Sequence, residues 1–222
     1  MAAERGLPCY ILSAEADAVP CASGEIIKSL GASLVRVSPD RLFAELERLR
    51  KAHGNAYFID EGGAGAVGIS AAAELGREIA SQERALGLVF DSVFVTVGSG
   101  TTLVGLALAA HRMGSAKRLI GISAARANPR AFALAERALK SVCPEAELSR
   151  YAGISDAFIG AGYGVPLPEA EAEAERLYEK SGIALDSVYT AKGYYGMLRE
   201  LERRGIRGKN VLFIHTGAAL MR

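Results

Sequence analysis

The chain has 222 residues, 50% of them hydrophobic and 23% charged, enough for one large globular domain or two small ones with a sizeable core. Its formal net charge of +1, without a basic stripe, gives it no draw towards nucleic acid or an anionic membrane surface. Cys9, Cys21 and Cys143 are scattered and form no C-x-x-C or Cys/His metal spacing, so no metal is expected, and a reducing cytoplasm is the simplest setting.

The opening MAAERGLPCYIL lacks the long apolar core of a signal peptide. PCYILS at 8–13 predicts a strand, and Ser23–Leu30 a short helix with Ile26, Ile27 and Leu30 on one face. SLVRV at 33–37 predicts the next strand. A helix follows, with Ser38 as N-cap, Pro39 at its first position, and Leu42, Phe43, Leu46 and Leu49 as its apolar stripe. Gly54 is expected to end it in a left-handed conformation. AYFI at 56–59 reads as a strand leading into glycines and a helix over 69–83.

SVFVTV at 92–97 predicts a buried strand that turns through GSGTT into a helix over 102–113, closed by Gly114. The uncharged run from Ser92 to Ala110 is long enough to suggest a membrane span, but glycines and hydroxyls at its middle favour strand, turn and helix. RLIGIS at 118–123 is a further strand, followed by a helix that Asn128 and Pro129 start. Pro168 starts another helix, which Gly182 stops and whose acidic run reads as a solvated face. A helix from about Thr190 to Arg204 stops at Gly205, and NVLFIHT at 210–216 is the last strand. Strands alternating with helices and buried on both faces argue for a parallel α/β sheet.

Two glycine turns invite chemistry. Gly63, Gly65 and Gly68 spell G-x-G-x-x-G, the spacing of a dinucleotide fingerprint. Asp60 and Glu61 stand directly before it and would repel a pyrophosphate. The next strand ends at Gly98 without the acid that a ribose needs. A nicotinamide-dependent oxidoreductase is therefore a remote alternative, and the bland reading is a tight turn of small residues where helix meets sheet. The second turn, Gly98–Thr102, sits at a helix N-terminus with three hydroxyls and no carboxylate, a suitable phosphate cradle. It lacks the lysine of a nucleotide P-loop, and a plain capped strand-to-helix turn is its bland reading.

Five blocks together resemble the D-cysteine desulfhydrase / 1-aminocyclopropane-1-carboxylate deaminase family of pyridoxal-phosphate enzymes. They are GEIIKSLGA (24–32), YFIDEGGAGAVGISAA (57–72), FDSVFVTVGSGTTLVGLALA (90–109), GYGVP (162–166) with GIALDSVYTAKGYYGML (182–198), and VLFIHTG (211–217). The resemblance implies two open parallel-sheet α/β domains of the tryptophan-synthase-β type. An incomplete smaller domain would cover 1–83 and a larger cofactor-binding domain 84–222. It gives Gly98, Ser99, Gly100, Thr101 and Thr102 to the cofactor phosphate, and Thr190 to the pyridine nitrogen, with Thr216 a second candidate there. Deaminases of the family carry glutamate at the Thr190 position and desulfhydrases threonine. Tyr189 and Tyr163 match tyrosines near the substrate, and Gly62 and Gly63 would lie beside it in the cleft between domains. Lys192 is expected as a solvated helix residue and His215 as a strand-end residue.

The chain departs from that family pattern in several places. The family's G-N-K motif, whose lysine carries the cofactor covalently and handles the Cα proton, has no match, and none of Lys28, Lys51, Lys117, Lys140, Lys180, Lys192 and Lys209 stands in such a context. Thr101 replaces a usual glycine, Ala64-Gly65 a usual polar pair, Ser187 a proline and Ala218 a glycine. The expectation is a lyase or deaminase lineage acting on a small amino acid, inactive as an isolated chain, with the cofactor held non-covalently at best. A complementary N-terminal chain or a homo-oligomer is the expected partner, without nucleic acid or membrane. The alternative is a non-catalytic relative, or one half of a split enzyme, serving as a binding module.

Overall fold

The computed structural model describes residues 2–14 and 22–217. Cys21 and Ala218 lie outside the described residues. The chain forms two compact units that meet between Phe58 and Ile59. That junction falls before the boundary expected at 83/84, because the helix that follows the first glycine turn packs within the larger unit.

In the smaller unit, β1 (Tyr10–Ala14) pairs in parallel with β2 (Ser33–Val37), and α1 (Ala22–Ser29) connects them. A single 3-10 turn, Pro39–Arg41, intervenes before α2 (Leu42–Ala52), so this helix starts later than the Ser38 signal suggests. Gly54 does not adopt a left-handed conformation; His53 is the C-cap. Apolar side chains stay largely in solvent here, among them Ile26, Leu30 and Phe43, and of the expected α2 stripe only Leu49 is buried. The expected strand AYFI does not form: residues 56–60 have no partner strand among the described residues, and Tyr57 and Ile59 are exposed. An apolar run becomes a strand only when a sheet edge receives it.

The larger unit holds a four-stranded parallel sheet in the order β5–β4–β3–β6. Its strands are β3 (Ser92–Val97), β4 (Arg118–Ser123), β5 (Ala152–Ser155) and β6 (Val211–Ile214). Every residue of β3 is buried, as a strand covered on both faces requires. Its side chains alternate between two cores. Val93, Val95 and Val97 point to the side of α4 (Thr101–Met113) and α5 (Asn128–Val142). Phe94, with Ile120 and Ile122, packs on Met197 of α7 (Thr190–Arg203). Behind α7 lies α6 (Pro168–Ser181), joined through Ala170, Ala174, Leu185 and Ala191.

Helix α3 (Ala66–Leu86) lies against α4 with almost no side chain between the two backbones. A Cβ on Gly105 would meet the Ala72 Cβ at 2.4 Å, and one on Gly76 the Ala109 Cβ at 2.4 Å. The fingerprint-like spacing has a more local origin. Gly65 caps α3 at a φ of 106°, and a Cβ on Gly68 would come within 1.8 Å of the Gly63 carbonyl oxygen. These glycines shape the turn into α3, and the small residues beyond it, Gly76 and Gly105, serve close packing of α3 on α4 rather than the helix-to-sheet contact expected.

Candidate active site

The carboxyl ends of β3, β4, β5 and β6 open on one side of the sheet, where parallel α/β folds place their ligands. β3 delivers the turn Gly98–Thr102 to this side. Gly100 takes a φ of 89°, which a Cβ would strain, and α4 begins at the next residue. The first N–H to find an intrahelical acceptor is that of Val104, on the Gly100 carbonyl; the Thr101 N–H makes a long contact of 3.4 Å to Ser99 Oγ, and the N-cap residue Gly100 has no side chain to cap the others. The first turn of α4 therefore presents N–H groups and a positive dipole end, with no acid in it. Ser99 Oγ and Thr101 Oγ1 are 3.0 Å apart and half-buried at the mouth of the turn. A Cβ on Gly62 would strike Ser99 Oγ at 2.4 Å, so the 61–63 turn closes directly over the hydroxyl. Donors without a competing carboxylate, held at a dipole's positive end, fit a phosphate dianion.

Tyr189 forms the other wall. Its ring lies against Gly98, where a Cβ would approach Cε2 to 3.2 Å, and its phenol donates to the Thr96 carbonyl at 2.9 Å. Burial pushes this phenol up to about 12, against a hydrogen bond from the Gly98 backbone and with help from Tyr163 and Asp186. Tyr163 thus shares Tyr189's surroundings; it is itself exposed, on a loop with Gly160, Gly162 and Gly164 at positive φ. Thr216 is exposed beyond the carboxyl end of β6, and His215 Nε2 lies 2.9 Å from the Ala184 carbonyl.

Thr190 sits differently from a side chain that opens towards a ring. It is wholly buried, its hydroxyl accepts the Asp186 N–H at 2.9 Å, and it donates to Asp186 Oδ2. Asp186 had not been singled out from the sequence. Its carboxylate accepts the N–H groups of Val188, Tyr189 and Thr190, so it caps α7 and fixes Tyr189 at the same time. The reach of Asp186 to a Thr four residues on, before an apolar-periodic helix, was the signal available.

Two other residues emerge only in three dimensions. Arg126 follows β4; it donates to the Gly98 carbonyl at 2.7 Å and pairs with Glu61 at 3.4 Å, tying both glycine turns together. Lys192, expected in solvent, is fully buried and donates to the carbonyls of Ile159 and Gly162 at 2.6 and 2.9 Å. Desolvation lowers its pKa, and its two acceptors anchor the Tyr163 loop.

A parallel sheet with a donor-lined turn at the end of a central strand, walled by a partly buried tyrosine, is the architecture of a ligand-binding α/β protein. The chain belongs to the pyridoxal-phosphate dependent enzyme family, whose pattern matches residues 1–217. It is 33% identical over 164 residues to a candidate 1-aminocyclopropane-1-carboxylate deaminase of Pyrococcus furiosus, covering 72% of this chain and 49% of that one. To a D-cysteine desulfhydrase of Serratia proteamaculans it is 29% identical over 185 residues, or 82% of this chain and 56% of that one. The chain therefore spans about half the length of these curated relatives. Among solved structures, one described as an ACC deaminase homologue superposes with a TM-score of 0.83 at 26% identity, over 97% of this chain and 67% of that one. The fold is the tryptophan-synthase-β-like α/β type, and the family's cofactor is pyridoxal phosphate.

Proposed function

We propose that this chain is the phosphate-binding portion of a pyridoxal-phosphate-dependent lyase or deaminase acting on a small amino acid. The reaction is a D-cysteine desulfhydrase-like elimination, in which D-cysteine and water give pyruvate, ammonia and sulfide. The observation that carries this reading is the Gly98–Thr102 turn at the start of α4, free of acids and pressed between Gly62 and Tyr189. Gly98, Ser99, Gly100, Thr101 and Thr102 hold the phosphate. When bound, the cofactor supplies an electron sink for bond cleavage at the amino acid's Cα.

The chain's own groups do the positioning. Tyr189, with its phenol near 12, stays protonated at neutral pH, keeps its hydrogen bond to the Thr96 carbonyl and orients the substrate from the wall of the site. Tyr163, on the glycine-rich loop that Lys192 anchors, faces the substrate, and Gly62 and Gly63 lie beside it. Because Asp186 engages Thr190, Thr216 is the hydroxyl offered to the ring nitrogen.

The lysines of the larger unit support the expectation that the covalent lysine comes from a complementary segment or chain. Lys117 and Lys209 lie at the amino ends of β4 and β6, Lys140 pairs with Glu136, Lys180 is exposed in the last turn of α6, and Lys192 is engaged by two carbonyls. The same placement favours the second reading, a non-catalytic binding module.

The test adds pyridoxal phosphate, then unphosphorylated pyridoxal, to the purified chain and follows Tyr189-sensitive fluorescence and sulfide release from D-cysteine. Phosphate-dependent binding, weakened at least tenfold by Gly100→Ala, is expected, with sulfide released only when a lysine-bearing complement is co-expressed. Binding without release under both conditions selects the non-catalytic module. Failure to bind pyridoxal phosphate even with the complement refutes the whole reading.

A further inference from the structure

At the end of the larger unit opposite the phosphate turn, the C-terminal ends of α4 and α5 converge. His111 stands in the last turn of α4, and Cys143 is the C-cap of α5. Glu145 follows two residues later. The imidazole, the thiol and the carboxylate each offer one atom, and these atoms all lie within 4.8 Å of one another. The Cys143 thiol donates to Glu145 Oε1 at 3.0 Å, and His111 Nε2 lies 3.7 Å from the same oxygen. Around a tetrahedral zinc ion, bond lengths of about 2.0–2.3 Å set the ligand atoms roughly 3.3–3.6 Å apart, so only small side-chain movements separate this cluster from a coordination shell.

Two further features suit a cation. His111 Nδ1 lies 2.8 Å from the Tyr151 hydroxyl, whose ring meets the imidazole edge-on. That contact fixes the imidazole plane and turns Nε2 towards Cys143 and Glu145, the part an outer-shell partner plays for a metal-bound histidine. Both converging helix ends carry partial negative charge. Arg112 also borders the thiol, and two anionic ligands outweigh it. Cys143 and Glu145 stand two residues apart, but His111 comes from another helix 32 positions earlier, which is why no Cys/His metal spacing is visible along the chain.

We propose that His111, Cys143 and Glu145 bind one zinc-type divalent cation, with water as the fourth ligand, and thereby clamp the ends of α4 and α5. A thiolate, an imidazole and a carboxylate together select zinc over magnesium or calcium. Binding displaces the thiol proton to solvent. The site is remote from the cofactor turn: ten residues of α4 separate His111 from Thr101, or about 15 Å of helix.

The experiment titrates the tag-free, full-length chain with Co²⁺ and follows the thiolate-to-cobalt absorption in the near ultraviolet, then displaces cobalt with Zn²⁺. One equivalent is expected to saturate the band in wild type. Cys143→Ala removes the band, and Glu145→Gln and His111→Gln weaken binding at least tenfold. Tyr151→Phe weakens it about 10-fold or more by freeing the imidazole. Cys9→Ala and Cys21→Ala leave it unchanged. Zn²⁺ raises the melting temperature of wild type and leaves that of Glu145→Gln in place; the exposed Glu145 can be changed without disturbing the core, so this arm stands even if Cys143→Ala fails to fold. A band that survives Cys143→Ala, or its absence from wild type, overturns the proposal.

Discussion

Glu200 of α7 offers a measurable link between one buried charge and the pH range in which this fold is stable. It is 3% exposed and accepts hydrogen bonds from Ser155 of β5 at 2.9 Å, Arg203 at 2.7 Å and Arg204 at 2.8 Å. Burial raises its pKa, but the bonds from Arg203, Arg204 and Ser155 outweigh burial and bring it from an ordinary 4.5 down to about 2. At about 1.4 kcal/mol per pH unit, that difference corresponds to about 3 kcal/mol. A carboxylate depressed in the folded state contributes stability that is fully present above the unfolded pKa. The contribution is lost as pH falls from about 4.5 towards 2. Glu200→Gln keeps the size and the Ser155 contact but removes the charge. Urea denaturation of both proteins between pH 7 and 3 should show the variant about 2–3 kcal/mol less stable at pH 7, with the gap closing below pH 4.5. A gap that stays constant over this range would mean that Glu200 acts by shape alone, and the electrostatic account would be wrong.

Three further outcomes are expected. Gly68→Ala would force a Cβ to within 1.8 Å of the Gly63 carbonyl and should destabilise the chain by about 1–3 kcal/mol or more, whereas Gly54→Ala, which meets nothing within 4 Å, should be close to neutral in the same denaturation assay. Lys117→Met leaves the part-buried Glu83 without its cation and should cost about 1–3 kcal/mol; adding Glu83→Gln should recover most of it. In a spectrophotometric titration, Tyr189→Phe should remove a tyrosinate step near pH 12 and leave the steps of the exposed tyrosines in place.

Local signals carried most of the larger unit. SVFVTV and RLIGIS became β3 and β4 with the expected bounds, and Gly114 and Gly182 close their helices at φ of 62° and 72°. The strand, turn and helix around GSGTT were legible for the same reason: they are contiguous. Strand β5, AGIS, escaped notice because it is four residues long and lies at the sheet edge, with an exposed glycine in it. AYFI deceived in the opposite sense, being apolar enough for a strand yet lacking a neighbour to pair with. Lys192 was misjudged because composition does not reveal carbonyls arriving from a distant loop to replace water. Arg126 was invisible for a related reason; its target, the Gly98 carbonyl, lies 28 positions away.

The bare contact between α3 and α4 has a mechanical consequence. Helices separated by side chains can slide on a compliant layer, but helices that close on each other through Gly76 and Gly105 have no such layer to shear. The turn at 61–63, fixed to the start of α3, and the turn at 98–102, fixed to the start of α4, therefore ride on one stiff splint. A push on Gly62 is felt at Ser99 as displacement rather than absorbed as strain.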